Sequence, residues 1–173
     1  YHSCGVTTDN DAYCWGNGGS GRLGNGATDN SSIPVLVSGS HAWDSVTVGD
    51  YHSCGVTTGD AGYCWGYSQY GQVGDGTSTR TTPHSISGCT VGCSGGFTWK
   101  MIDAGDEHTC GVAIGTLNGA STTGAGKCWG RGTQGQQGNN DVMDRSQSPN
   151  TSLTGGVSDE NGNNFTWKSI GAE

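Results

Sequence analysis

Basic side chains are scarce. Lysine and arginine total 7 against 15 aspartates and glutamates, giving a net charge of −8 in 173 residues. Phosphate backbones are gripped by dense cationic surface, so this balance argues against a nucleic-acid partner. Long apolar runs are missing too. Hydrophobic residues make up 31% of the chain, and no stretch approaches the roughly 20 consecutive apolar residues of a membrane helix, so no membrane insertion is expected. Nor does any segment carry the period of an amphipathic helix. No secretory leader or initiating methionine precedes Tyr1, which therefore reads as a processed end or the edge of an excised piece.

What the chain does have is repetition. Tyr1-His-Ser-Cys-Gly-Val-Thr-Thr, Tyr51-His-Ser-Cys-Gly-Val-Thr-Thr and Glu107-His-Thr-Cys-Gly-Val-Ala-Ile each lead to a Cys-Trp-Gly, at Cys14, Cys64 and Cys128. Trp43 and Trp99 stand ahead of the second and third, and Trp167 holds the same position after the third. After each Cys-Trp-Gly come Gly21-Arg-Leu-Gly-Asn-Gly, Gly71-Gln-Val-Gly-Asp-Gly and Gly135-Gln-Gln-Gly-Asn-Asn, then Pro34, Pro83 and Pro149. The units run approximately over 1–42, 43–98 and 99–166, and 167–173 opens a further one. Anchors recur at unequal spacing, which predicts that the extra residues are loops.

Each unit reads as short strands. His52, Cys54 and Val56 alternate with Ser53, Gly55 and Thr57 at the two-residue strand period, and Gly59-Asp60 supplies turn chemistry before the next apolar residues. The 34 glycines cluster where the chain must reverse with positive φ. Units of this length, with several strands and recurring tryptophans, predict an all-β propeller, in which sheets pack face to face about an axis.

His-Ser/Thr-x-Gly-Val, then Trp-Gly, then Gly-x-x-Gly-x-Gly and a proline, resembles the repeat of the regulator-of-chromosome-condensation family, which is similar to that of the beta-lactamase-inhibitor-protein propellers. The resemblance covers nearly the whole chain. It implies a β-propeller of about seven four-stranded blades that serves mostly as a binding platform. This chain differs from the nuclear eukaryotic members in having two cysteines per unit and only about three units.

Those cysteines predict disulfides. Cys4 with Cys14, and Cys54 with Cys64, sit ten residues apart across a hairpin, where facing Cβ atoms come within bonding range. Cys110 and Cys128 hold the same two positions, separated by a Gly/Thr/Ser insertion over 115–126, and Cys89 and Cys93 are left to pair in a loop. A thiolate metal site is the competing reading, but zinc sites usually show Cys-x-x-Cys pairs and none is present. Four local disulfides imply an extracellular or cell-surface protein. Three sequons, at Asn30, Asn150 and Asn164, are candidate glycosylation sites there.

Catalytic chemistry is thin. His2, His52 and His108 precede a cysteine by two residues, but a histidine repeated in every unit is expected to be structural and hydrogen-bonded within its blade. The repeated tryptophans are expected in inter-blade core. Tyr67 and Tyr70 occur in one unit only and are the candidate contact surface, with a packed loop as the equal alternative. Asp159-Glu-Asn-Gly-Asn163 begins like a calcium loop, but Asn164 and Ile170 stand where glycine and the bidentate acid belong. Asp9 with Asp11, and Asp141 with Asp144, are acidic pairs without a ligand set. No catalytic residue, metal or cofactor is expected.

The termini carry the functional expectation. The chain opens inside a unit and closes with Trp167-Lys-Ser-Ile-Gly-Ala-Glu173, the segment that precedes His-Ser-Cys elsewhere. Rings take four or more blades, so the three units are half of a six-bladed ring shared by two chains, a segment of a longer single-chain propeller, or a tile that pairs head to tail, and the first expectation is a non-enzymatic extracellular structural protein. It would assemble with itself head to tail through the split blade, as a surface filament or sheath. The alternative is a secreted module that binds a protein or glycan through its variable loops.

Overall fold

In a computed structural model, the chain forms three antiparallel sheets, and the residues described are 1–76, 78–86, 97–117, 120–138, 142–143 and 168–172. Strands β1 (His2–Val6), β2 (Ala12–Gly16) and β3 (Ser31–Leu36) form the first sheet. The second is complete, in the order β4 (Trp43–Val48), β5 (His52–Thr57), β6 (Gly62–Gly66), β7 (Arg80–Ser85). The third holds β8 (Phe97–Ala104), β9 (His108–Leu117) and β10 (Ala120–Gly130). This is the all-β, disulfide-stapled, propeller-like architecture that the repeats imply.

Hairpin register follows from three-residue turns, closed by Thr7 N–H on the Asp11 carbonyl and Thr57 N–H on the Ala61 carbonyl. Asn10 and Asp60 adopt positive φ (65° and 60°) and place Cys4 opposite Cys14 and Cys54 opposite Cys64. The three hairpin pairs are disulfides, with Cα–Cα distances of 4.1, 4.0 and 4.1 Å for Cys4–Cys14, Cys54–Cys64 and Cys110–Cys128. Such short separations belong to non-hydrogen-bonded pairs, whose side chains approach most closely. Cys89 and Cys93 lie outside the described residues.

The insertion at 115–126 is not a loop. It lengthens β9 and β10 into a long hairpin, with Thr116 opposite Ser121 and Ile114 opposite Thr123, and a bulge between Thr123 and Ala125 absorbs the odd residue. Thr, Ser and Ala pair as readily here as they would turn, and pairing satisfies backbone groups along the facing edges of the two strands.

The sheets meet face to face over two apolar layers. Leu23, Val37, Trp43 and Trp65 fill the layer between the first and second blades, and Val56, Val73, Ile86, Trp99, Ile102 and Trp129 fill the one between the second and third. Trp43, Trp65, Trp99 and Trp129 are all essentially sealed. These layers are thin, so the polar groups within them must be paired.

Candidate functional site

Strand alternation sends His52, Cys54 and Val56 toward the third blade and Ser53 and Gly55 toward the first. The histidines therefore do not bond within their own blades, as the sequence suggested, but between blades. His2 Nε2 lies 2.7 Å from Ser53 Oγ, and His52 Nε2 lies 2.8 Å from Thr109 Oγ1. Each hydroxyl in turn donates to a carbonyl in the preceding blade's glycine turn, Ser53 to Arg22 and Thr109 to Gln72, both at 2.8 Å. The same carbonyls accept the indole N–H of Trp65 (3.0 Å) and Trp129 (2.9 Å). Each blade junction is thus a relay of histidine, hydroxyl, carbonyl and tryptophan.

The relay fixes the tautomer. A hydroxyl proton given to the carbonyl leaves its oxygen to accept, so Nε2–H of the histidine donates and Nδ1 is bare. Nδ1 of His2 and of His52 has no partner among the described residues. Protonation there would place a charge in apolar surroundings. Burial, aided by the Arg22 charge, holds His2 at about 4, and burial, followed by repulsion from His108, holds His52 at about 3. His108 is lowered too, chiefly by burial. The carbonyls are aimed by the glycine turns: Gly21, Gly71 and Gly135 have φ of 75°, 83° and 77°, and each turn closes with the N–H three residues on bonding back.

One face of the molecule presents half of this relay uncovered. Ser53 and Thr109 are fully buried, whereas Ser3 at the same position is exposed. Trp65 and Trp129 are 0% and 1% exposed, against 36% for Trp15. On the opposite side, His108 and the Gln136 carbonyl hold the donor-blade positions.

The first strands of successive blades are tied separately. Thr47 Oγ1 donates to Asp103 Oδ1 at 2.7 Å, and Ala104 N–H reaches Thr47 Oγ1 at 3.3 Å. Residues 168–172 repeat this contact one step on, with Ala172 N–H donating to Asp103 Oδ2 at 2.8 Å. Ala172 corresponds to Ala104 in the repeat, so the tail stands where the first strand of a following blade would run.

Tyr67 and Tyr70 are half-buried rather than free. Tyr67 lies 5.9 Å from Tyr51, which lies 6.5 Å from the exposed Tyr1, and Arg22 sits 5.3 Å over Tyr51. Arg131 covers Tyr70 at 5.3 Å and pairs with Glu107. The result is an aromatic and cationic rim. Asn30 is exposed, and its Oδ1 accepts the Gly18 N–H at 3.0 Å; Asn150, Asn164, the calcium-like stretch and the Asp141–Asp144 pair lie outside the described residues. Asp9 and Asp11 line a shallow cavity with His41 and Trp43, and no cluster of three metal-ligating side chains occurs among the described residues. Among those residues no helix is long and apolar enough to cross a membrane. Lys127, where earlier units have Tyr13 and Tyr63, is buried, which lowers its ammonium to about 8.

Comparison with known proteins agrees with this architecture. The family model described as the regulator of chromosome condensation (RCC1) repeat matches residues 9–56 and 62–112, more than half of the chain, and a second model of the same description matches 43–72. Human HERC2, an E3 ubiquitin-protein ligase, is 42% identical over 38 residues, which are 22% of this chain and 1% of that protein. Human WBSCR16 superposes with a TM-score of 0.66 at 20% identity, covering 84% of this chain and 34% of that one. Yeast RCC1 (Prp20), in its complex with Kap60, gives 0.66 at 18% identity over 85% of this chain and 34% of that one. The chain spans about a third of the length of these two structures.

Proposed function

This chain belongs to the regulator of chromosome condensation (RCC1) repeat family, and on that premise we propose that it is a non-enzymatic, extracellular structural module that associates head to tail with further copies of itself. One observation carries the reading. The first blade exposes Ser3 and Trp15, whose counterparts at both internal junctions are sealed by the preceding blade's histidine and glycine-turn carbonyl. His108 and the Gln136 carbonyl on the third blade are the complementary groups, so one copy's third blade fits another's first by the chemistry that already joins its own blades. Such a contact is heterologous and propagates unless its rotation closes a ring. The hairpin disulfides support an oxidising compartment, and the exposed Asn30 suits sugar attachment.

Light scattering and negative-stain imaging of unreduced protein test the proposal. Association that grows with concentration, and is lost in a Ser3→Glu variant that buries a charge at the junction, is expected; a monomer at every concentration overturns it.

A second reading rests on the rim of Tyr1, Tyr51, Tyr67 and Tyr70 with Arg22 and Arg131. Tyrosine and arginine dominate binding hot spots, and yeast RCC1 (Prp20) is seen bound to Kap60. On this reading the module is a platform for a protein or glycan partner. Loss of a purified partner's binding on Tyr51→Ala and Tyr67→Ala substitution, with unchanged self-association, would favour it.

A further inference from the structure

We propose that Lys127, beside the junction of the second and third blades, is a reactive amine that takes a small uncharged aldehyde in covalent linkage as an imine. This stands apart from how copies of the chain associate.

The repeat shows that the fold does not require a lysine here. Tyr63 faces Gly55 across its hairpin, and Lys127 faces Gly111 across its own. Over each glycine lies the indole of that blade's first strand: a Cβ on Gly55 would stand 2.9 Å from Cζ3 of Trp43, and one on Gly111 would stand 2.6 Å from Cζ3 of Trp99. Tyr63 fills the place beside its indole with a ring, 5.6 Å from Trp43 and edge-on to it. Lys127 brings an amine on a flexible stem to the corresponding place beside Trp99. Alternation sets Trp129 on the same face two residues on, and Trp99, Ala113 and Trp129 are each at most 1% exposed.

Nothing in this setting balances the charge of an ammonium. Lys127 is 5% exposed, and among the described residues it has neither an ion pair nor a hydrogen bond. Asp103 and Glu107, acids of the same blade, are engaged elsewhere, Asp103 by the Thr47 hydroxyl and the Ala172 N–H, and Glu107 by Arg131. An unpaired buried ammonium is costly, and burial alone lowers this one to about 8. At pH 7 about a tenth of the amine is then neutral, against about one part in 2,500 for a lysine in water. A lysine desolvated in apolar surroundings is an activated nucleophile toward carbonyls.

The same setting selects the electrophile. The nitrogen lone pair adds to the aldehyde carbon, and the resulting carbinolamine loses one water to leave a neutral C=N bond, which suits the apolar wall. An aldehyde bearing a carboxylate would leave that charge without a counter-ion once the amine is consumed. Slight exposure restricts the approach to small molecules.

Propanal with cyanoborohydride, added at pH 7 to the unreduced chain and followed by peptide mass, tests this; hydride from the cyanoborohydride turns each imine into a stable propylamine. Lys100 and Lys168 are exposed and serve as internal standards. The neutral fraction favours Lys127 by about two hundredfold, and restricted approach offsets part of it, so Lys127 should react about tenfold or more faster than either standard. The lead should vanish in guanidinium, and Lys127 should prefer propanal over glyoxylate by more than the standards do. Lys127→Tyr, which installs the side chain of the other units, should remove the fast site without lowering the melting temperature. A Lys127 labelled no faster than Lys100 overturns the proposal. So does a lower melting temperature for Lys127→Tyr, because the amine would then serve packing, and an equal preference for glyoxylate overturns the uncharged class of ligand.

Discussion

Removing the same hydroxyl at three repeat positions should have three different costs. Ser53→Ala leaves the Nε2–H of His2 without an acceptor inside the junction, while the Arg22 carbonyl keeps the Trp65 indole at 3.0 Å. The loss is therefore that of one buried unsatisfied donor, about 2 kcal/mol. Thr109→Val conserves volume and strands His52 in the same way, with the Gln72 carbonyl retained by Trp129, so it should also cost about 2 kcal/mol. Ser3→Ala removes an exposed hydroxyl and should stay within about 0.5 kcal/mol. With an urea m-value of about 2 kcal/mol/M, the two junction variants should lose about 1 M in midpoint with m unchanged. The melts should be run unreduced and dilute, so that self-association does not contribute. Equal effects at Ser3 and Ser53, or a neutral Thr109→Val, would refute the relay as the polar bond between blades.

Glycine substitutions separate the same faces by sterics. Gly55→Ala and Gly111→Ala drive a Cβ into Trp43 and Trp99 and should lower stability by about 1–3 kcal/mol in thermal or urea melts, while Gly5→Ala leaves it unchanged. Acid should loosen the junctions. His52 is held at about 3 in the folded chain against about 6.5 unfolded, so the unfolded state binds the extra proton between those values. Its contribution is flat above pH 6.5 and falls as pH drops toward 3, by about 1.4 kcal/mol per pH unit. Nitrogen-detected NMR at pH 5 should find His52 neutral with its proton on Nε2; an imidazolium signal would contradict this. Reduction should be costly: by loop entropy, each of the Cys4–Cys14 and Cys54–Cys64 bridges contributes about 2.5–3 kcal/mol. Replacing Cys54 and Cys64 together by alanine should therefore drop the melting temperature sharply, and a shift no larger than that of a surface substitution would count against it.

Much of this was legible in the residues. Thrice-repeated His-Ser/Thr-Cys-Gly-Val with a following Cys-Trp-Gly sets strand period, hairpin register and disulfide partners, because all three are local consequences of alternation and turn chemistry. The identity of each histidine's partner was not. Period two says that His52 and Ser53 point to opposite faces, but not which blade either meets. The long hairpin at 115–126 was hidden for a related reason, since a Gly/Ser/Thr stretch codes equally for loop or edge pairing until a neighbouring strand offers its backbone. Burial contrast within one repeat position, Ser3 against Ser53 or Gly5 against Gly55, has no sequence signature at all, because the residues are identical.

The sequence by itself determined the unit, its strands, its covalent staples and its family, for these depend on spacing along the chain. Tertiary structure alone decided that the units are joined by a histidine–hydroxyl–carbonyl–tryptophan relay, that residues 168–172 run on beside Asp103, and that Ser3 and Trp15 are uncovered where their counterparts are sealed. Those are relations between faces of different sheets, and only packing sheet on sheet brings such faces together.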